Sequence, residues 1–298
     1  IITIPIEHPS VLEPLKALPA GFKTEYVKVN KEGLVEPDDI KHKLSVKTVL
    51  VSIMYANNEI CTIEPIKKIG KLIQEFKIES LKLKIHGTAD PLFHVDACQA
   101  AGYLPMDVHS LGVDLLTFNS TKIYGPKGVG VLYIRRGLKV RPLIYGGEQE
   151  RGRRAGTENL PAIAGLTTAV SLIDEKDGQR LSKLRDHFIS ALAHALPEAR
   201  LNGPTGQERL PNNVHISLPN LTSEQVLIEL DKYGIYAGSG SACTSHAVEP
   251  PHVLKAIGIP KKYLDGAIRF SLGRGTRKSD LDFVVKTLVK VVKDLKKR

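Results

Sequence analysis

Residues 93–100 read FHVDACQA, a short apolar run that ends in a carboxylate and continues into small residues. Similar runs, rich in β-branched residues, predict strands at residues 1–6, 24–29, 48–54, 92–95, 113–118 and 128–134. Apolar positions three and four residues apart predict helices between these strands, at residues 11–18, at residues 37–44 and after Pro65. Alternating strands and helices favour a mainly parallel sheet covered by helices on both faces, the α/β architecture.

The pattern of the chain changes beyond residue 160. Apolar spacing there predicts one strand at residues 214–218 and helices at residues 162–173, 181–196, 224–233 and 281–295. We expect Ser223 to cap the third of these helices, because a serine oxygen accepts hydrogen bonds from the free amides of the first turn. We therefore predict two domains: a large α/β domain at residues 1–160, and a linking helix with a smaller α+β domain at residues 161–298.

The composition is that of an ordinary globular protein. The 298 residues are 42% hydrophobic and 25% charged, which excludes a disordered or collagen-like chain. No apolar run approaches the roughly 20 residues that cross a bilayer, so no membrane association is expected. The net charge of +10 is spread along the chain, and 5% aromatics without Trp offer few surfaces for stacking bases. We expect no nucleic-acid partner, and a surface that suits an anionic cofactor or an acidic protein.

The three cysteines, Cys61, Cys98 and Cys243, include no CxxC pair. This spacing argues against a disulfide framework and against a structural zinc site, so we expect neither. It favours a reducing compartment, and we expect a cytoplasmic protein in which one thiol is chemically active.

Two charged residues follow predicted strands in a pattern that suggests cofactor chemistry. Asp96 stands where the carboxyl edge of a parallel sheet binds ligands, although an aspartate there is equally suited to capping a helix. Lys122 follows the next strand, within residues 119–128 (NSTKIYGPKG). It is either a solvated loop residue or a lysine in a partly desolvated pocket, where burial lowers the pKa and favours Schiff-base formation. The pair fits a pyridoxal phosphate site, because an acid can keep the pyridine nitrogen protonated.

Small residues surround Cys243 in residues 239–245 (SGSACTS), and this composition predicts an accessible loop. A nucleophilic thiol needs such access together with a lowered pKa. His246 is close enough in sequence to assist the thiol, or else is a surface histidine. Arg269 and Arg274 are each able to clamp a substrate carboxylate with two hydrogen bonds, or to pair with a surface acid.

Four motifs occur in order: YANNEI at residues 55–60, HVDACQ at 94–99, KIYGPKG at 122–128 and SGSACTS at 239–245. With these motifs the chain resembles the cysteine desulfurases of the NifS/IscS type, in the class V aminotransferase family of fold-type I pyridoxal phosphate enzymes. The resemblance runs over essentially the whole chain. It implies a sheet of the seven-stranded type between helices, a smaller C-terminal domain and a homodimer with shared sites.

The resemblance also implies roles for individual residues. Lys122 would form the Schiff base with pyridoxal 5'-phosphate and move protons at the substrate α-carbon, while Asp96 would pair with the pyridine nitrogen. Cys243 would take the sulfur of L-cysteine as a persulfide, leaving L-alanine, and pass it to an acceptor such as an iron–sulfur scaffold protein. Among the other implied site residues, His8 would stack on the cofactor ring and belong to the catalytic set. Asn58 and Gln99 would contact the phenolic oxygen of the cofactor, with Asn58 also near the substrate. Asn119 and Thr121 would lie around the cofactor, Thr157 would reach the phosphate of the neighbouring subunit, and Arg269 would hold the substrate carboxylate.

The chain departs from the family pattern in three places. Residues 119–122 read NSTK where the family has Ser-Gly-His-Lys or similar, so that Asn119 replaces a phosphate-binding serine, and Cys61 stands where glycine is common. The first residues read IITIPI, and we expect the chain to lack the N-terminal segment that carries a Gly/Ala-Thr-Glu phosphate-binding loop in the family. Two alternatives therefore stay open beside the desulfurase: a selenocysteine lyase, and an inactive, truncated homologue that acts as a partner or scaffold.

Overall fold

The structure is a computed structural model that describes residues 1–82, 90–240 and 251–297. Its strands form two sheets. The larger sheet contains β1 (Ile2–Thr3), β2 (Glu25–Tyr26), β3 (Leu50–Met54), β4 (Leu92–Asp96), β5 (Leu115–Asn119) and β6 (Gly130–Ile134). The strands lie in the order β2-β1-β3-β4-β5-β6, and the first five in this order run parallel. The predicted α/β fold class with a mainly parallel sheet is therefore confirmed.

The last strand of this sheet, β6, runs antiparallel to β5. A parallel return needs a crossover of about a dozen residues or more. Residues 120–129, which join the two strands, contain only a short 3-10 turn, Ser120–Ile123, and turn the chain straight back. The described residues thus form six strands in the larger sheet, where the resemblance implies a sheet of the seven-stranded type.

Helices alternate with the strands of the larger sheet, namely α1 (Pro9–Lys16), α2 (Pro37–Lys43), α3 (Ile66–Lys82) and α4 (Val108–Leu111). The helix predicted after Pro65 is confirmed as α3, whose buried face is formed mainly by Ile66, Ile69, Leu72 and Ile73. This helix lies very close to α4, because a Cβ atom at Gly70 would be 2.1 Å from the carbonyl oxygen of Leu111. Only glycine allows that approach.

The smaller sheet is antiparallel, in the order β7 (Arg200–Leu201), β8 (Asn213–Ser217) and β9 (Ala267–Ser271). The helices beyond β6 are α5 (Gln149–Gly152), α6 (Leu160–Ser171), α7 (Glu175–Ala195), α8 (Ser223–Asp231), α9 (His252–Ala256), α10 (Lys261–Leu264) and α11 (Lys278–Leu295). The strand and the four helices predicted for this half are all present, with ends shifted by a few residues. None of the helices in the described ranges combines the length and apolar character needed to cross a bilayer.

The predicted cap of α8 is wrong by one residue. Thr222, not Ser223, is the N-cap: its hydroxyl accepts a hydrogen bond from the Gln225 amide at 3.4 Å. Ser223 is already the first helical residue. Both positions carry a hydroxyl that can cap, and the extended backbone of Thr222 decides between them.

Each sheet has its own hydrophobic core. The larger one includes Phe93 and Val95 of β4 together with Val253 and Leu254 of α9, all of them fully buried. In the smaller one, Phe188 of α7 meets Phe270 of β9 edge to face, with ring centroids 5.3 Å apart. The domain boundary at residue 160 stays a prediction, and α9, which lies beyond it, contributes to the core of the larger sheet.

Backbone hydrogen bonds join the segment before α3 to the segment between β7 and β8. Ile63 N donates to Glu208 O at 2.8 Å, and Leu210 N donates to Cys61 O at 2.9 Å. The Arg209 side chain is buried there, and its guanidinium donates to the carbonyl oxygens of Pro204, Asn213 and Asn202. A buried charge of this kind is tolerated only where its hydrogen-bonding groups are satisfied, so Arg209 fixes the shape of the segment between β7 and β8 that meets residues 61–63.

Candidate active site

The predicted ligand at the end of β4, Asp96, is buried at the carboxyl edge of the parallel sheet. Its Oδ1 atom accepts a hydrogen bond from the Cys98 amide at 2.9 Å. This bond stabilises the turn that follows the strand, which is the local capping role considered above. It also fixes the carboxylate at the edge where parallel sheets bind ligands.

The lysine motif forms a 3-10 turn at the end of the neighbouring strand, β5. Asn119 caps this turn, because its Oδ1 accepts from the Lys122 amide at 3.2 Å and from the Thr121 hydroxyl at 2.9 Å. The Lys122 side chain is exposed. Of the two alternatives considered for Lys122, the exposure of the residue agrees with the solvated one in this chain alone. Its role as the Schiff-base lysine stays a prediction.

His8 interacts electrostatically with both charged residues, Asp96 and Lys122. Its half-buried imidazole interacts with the Asp96 carboxylate and with Lys122, and burial, the largest effect, lowers the His8 pKa. Nδ1 of His8 accepts from the Ser10 amide at 3.1 Å and so caps α1. The neutral ring thereby takes a fixed orientation next to Asp96. Three of the predicted site residues thus come together here.

A second group of site residues forms around Arg269 of β9. Its Nη1 donates to the carbonyl oxygen of Asn58 at 2.9 Å, across 211 positions of sequence. The neighbouring Asn57 is buried and structural, since its amide donates to Ile6 O at 2.8 Å. Asn58 is only partly buried and has its side chain available, as does Gln99 in the turn after Asp96.

Of the two arginines considered for the substrate carboxylate, Arg274 is already engaged. Its Nε donates to Asp177 Oδ2 at 2.9 Å, and its Nη2 donates to Leu172 O at 2.6 Å. For Arg274 the alternative of pairing with an acid therefore applies. Arg269 remains the candidate for the substrate.

The remaining predicted residues lie elsewhere. Thr157 is exposed in the segment after α5, where its carbonyl oxygen accepts from Arg154 Nη1 at 3.4 Å. Within the described part of the chain no hydrogen bond links Thr157 to the residues around Asp96. Cys243 and His246 lie outside the described residues, so their placement stays a prediction.

The other two cysteines are poor nucleophiles. Cys61 is buried, and burial raises its pKa to about 11 in spite of the nearby Arg209. Its φ of 57° lies in the left-handed region, which explains why glycine is common at this position in the family. Burial, together with the Asp96 carboxylate, also raises the pKa of the Cys98 thiol strongly.

Three buried glutamates near the site were not predicted from the sequence. Glu7, Glu59 and Glu64 each have one carboxylate oxygen without a hydrogen-bond partner among the described residues. Burial raises the pKa of Glu59 to about 7, against the opposing effect of Arg269, and that of Glu64 to about 8. Burial, strengthened by Asp96, also raises the pKa of Glu7. The only indication in the sequence that one of these glutamates is buried is the position of Glu7 at the end of an apolar run.

The family model for the class-V aminotransferases, described as Aminotransferase class-V, matches residues 1–284. The chain belongs to this family. Among related proteins, the cysteine desulfurase IscS of Dictyoglomus turgidum is 44% identical to this class-V aminotransferase over 99% of the chain and 73% of the relative. The cysteine desulfurase IscS of Clostridium botulinum is also 44% identical, over 98% of the chain and 72% of the relative.

Solved structures agree with this assignment. A structure described as a NifS-like protein superposes on the class-V aminotransferase with a TM-score of 0.86 at 35% identity. The superposition covers 98% of this chain and 74% of the other. The resemblance inferred from the four motifs is therefore confirmed for the family and for the fold.

Proposed function

We propose that this class-V aminotransferase is a pyridoxal phosphate-dependent cysteine desulfurase. The proposal rests on one observation: Asp96, His8 and Lys122 lie near one another at the carboxyl edge of β4 and β5. It occurs in a chain that is 44% identical to proteins named cysteine desulfurase. That name favours L-cysteine as the substrate over selenocysteine, and an enzyme over an inactive scaffold.

The chemistry of these side chains fits the cofactor. Asp96 offers a buried carboxylate for a pyridine nitrogen, His8 an oriented neutral ring to stack on, and Lys122 an exposed amine. Asn119, Thr121 and Gln99 border the same edge. When bound, pyridoxal phosphate supplies an electron sink for bond breaking at the substrate α- and β-carbons.

The protein side chains supply binding and proton transfer. The Arg269 guanidinium, held by Asn58 O, binds the substrate carboxylate, and the Lys122 amine takes and returns the proton at the α-carbon. The Cys243 thiolate attacks the sulfur of L-cysteine. A sulfur–sulfur bond forms while the carbon–sulfur bond breaks, and its electron pair stays on the carbon, which takes up a proton and becomes the methyl group of L-alanine.

One assay tests the activity. The protein is incubated with pyridoxal phosphate and L-cysteine, and alanine and protein-bound persulfide are measured. Lys122→Ala should lower alanine formation by at least about 100-fold, while Lys127→Ala, five positions further along the same connecting segment, should not. Cys243→Ser should abolish the persulfide. The absence of alanine with the unaltered protein would show that the proposal is wrong, and persulfide at the normal level in Cys243→Ser would exclude that thiol as the acceptor.

We propose a homodimer with shared sites, as the role inferred for Thr157 requires. Supporting this, the segment before Thr157 carries large apolar side chains that the single chain leaves uncovered: Leu143 is 94% exposed, Ile144 55% and Tyr145 73%. Contiguous exposed apolar groups of this kind are typical of protein interfaces.

The sulfur acceptor and the compartment are also proposals. The net charge of +10 suits an acidic acceptor protein, of the kind that assembles iron–sulfur clusters. Cysteines without a CxxC pair suit a reducing compartment, and we propose the cytoplasm.

A further inference from the structure

The hydroxyl group of Tyr124 is a meeting point of three segments. Tyr124 ends the Lys122 turn in a left-handed conformation with φ of 67°. Its hydroxyl accepts a hydrogen bond from the Arg274 amide at 3.2 Å. A Cβ atom at Gly273 would lie 3.0 Å from the same oxygen, so the loop after β9 packs directly against it.

The third segment is the turn that follows Asp96. Tyr103 lies in that turn, lines the same small cavity as Tyr124 and interacts with the Tyr124 hydroxyl. Burial, together with this neighbour, raises the pKa of Tyr103. The Tyr124 hydroxyl, at the end of the Lys122 turn, therefore contacts the loop that follows the Arg269 strand and interacts with the turn that follows Asp96.

The side chain of Arg274 holds this junction in place. Its guanidinium stacks over the Tyr124 ring, 4.9 Å from the centroid, and is fixed by Leu172 at the end of α6 and by Asp177 in α7. Arg180 adds a hydrogen bond of 2.9 Å from its Nη2 to the Arg274 carbonyl oxygen. The loop after β9 is thus held from both sides.

We propose that the Tyr124 hydroxyl is a positioning group for the desulfurase reaction, fixing the separation of Lys122 and Arg269. Tyr124 is two residues from Lys122, and its partner Arg274 is five residues from Arg269. The amine and the guanidinium must act on one substrate molecule, on its α-carbon and on its carboxylate. A loose junction lets the two drift apart without removing either. This inference rests on the function proposed above.

The variant Tyr124→Phe tests the proposal, because it keeps the ring over Arg274 and removes only the hydroxyl. A neutral hydrogen bond contributes about 1 kcal/mol, so we expect KM for L-cysteine to rise about fivefold, with a smaller fall in kcat. Arg274→Ala should raise KM further, and Arg274→Lys should recover part of the loss. Tyr26→Phe, on the distant strand β2, is the matched control and should behave as the unaltered enzyme.

Amide hydrogen exchange on the enzyme loaded with pyridoxal phosphate gives a second readout that does not depend on turnover. The amides of residues 120–125 and 271–277 should exchange faster in Tyr124→Phe than in the unaltered enzyme. In Tyr26→Phe their exchange rates should be unchanged. Unchanged exchange in Tyr124→Phe overturns the proposal, and so does a lower melting temperature with unaltered KM and kcat. If the unaltered enzyme makes no alanine, the function is wrong, and the exchange measurement alone decides whether Tyr124 fixes the two segments.

Discussion

The Glu64 side chain is 1% exposed, and its Oε2 accepts from the Val35 amide at 3.0 Å. Burial raises its pKa from the ordinary 4.5 to about 8. The folded protein therefore keeps a proton that the unfolded chain releases, and stability falls as pH rises from about 4.5 to about 8. Glu64→Gln keeps the acceptor for Val35 and cannot ionise, so it should raise the free energy of unfolding at pH 8 by about 1–3 kcal/mol.

Urea titrations at pH 5 and at pH 8 measure this effect. The matched control is Glu13→Gln, since Glu13 is exposed and pairs with Lys16 on the surface of α1. The control should change stability by less than about 0.5 kcal/mol at either pH. An equal change for Glu64→Gln at both pH values would contradict the assignment of a neutral, buried acid.

The environments of Cys61 and Cys98 predict a pattern of thiol reactivity. Their raised pKa values keep both in the unreactive thiol form at pH 8, whereas the small residues around Cys243 predict access. A thiol reagent should therefore modify Cys243 in the native protein and all three residues in urea. Peptide mapping by mass spectrometry identifies the modified sites. Modification of Cys61 as fast as that of Cys243 would count against the buried position.

Among the helices, the contact between α3 and α4 depends on the absence of one side chain. Gly70→Ala would place a methyl group against the backbone of Leu111, so the helices must separate, at a cost of about 2–3 kcal/mol. Gly178→Ala in α7 is the matched control, because a Cβ atom there has no neighbour within 4 Å. The control should be neutral or stabilise by up to about 1 kcal/mol. Thermal unfolding measures both, and equal effects would contradict the close contact.

Elements with a long apolar repeat were predictable from sequence, and short ones less so. α3 and α11 bury one face over many turns, so their period is clear, whereas β1 covers two residues of a predicted six. The exposure of Lys122 and the burial of Glu7 were not predictable, because both depend on segments distant in the chain. The contact of Arg269 with Asn58, which builds the second half of the site, likewise has no local signal.

For the whole molecule, the proposed homodimer predicts a change of mass in solution. Leu143→Glu would place a charge in the exposed apolar segment and should convert a dimer into a monomer of 32.7 kDa. Ile228→Glu, at an exposed apolar position of α8, is the matched control and should stay dimeric. Sedimentation equilibrium measures the mass. A dimer that survives Leu143→Glu would exclude this segment as the interface.

The junction around Arg209 determines how cooperatively the protein unfolds. Its three carbonyl partners hold the segment between β7 and β8 in shape, and the backbone bonds of Ile63 and Leu210 join that segment to the one that leads into α3 beside the larger sheet. Separating the two segments breaks these backbone bonds and opens the region in which Arg209 and Cys61 are buried. The two cores are thereby coupled, and unfolding of one exposes the other. A calorimetric scan of this protein should therefore show one cooperative transition, although its strands form two separate sheets.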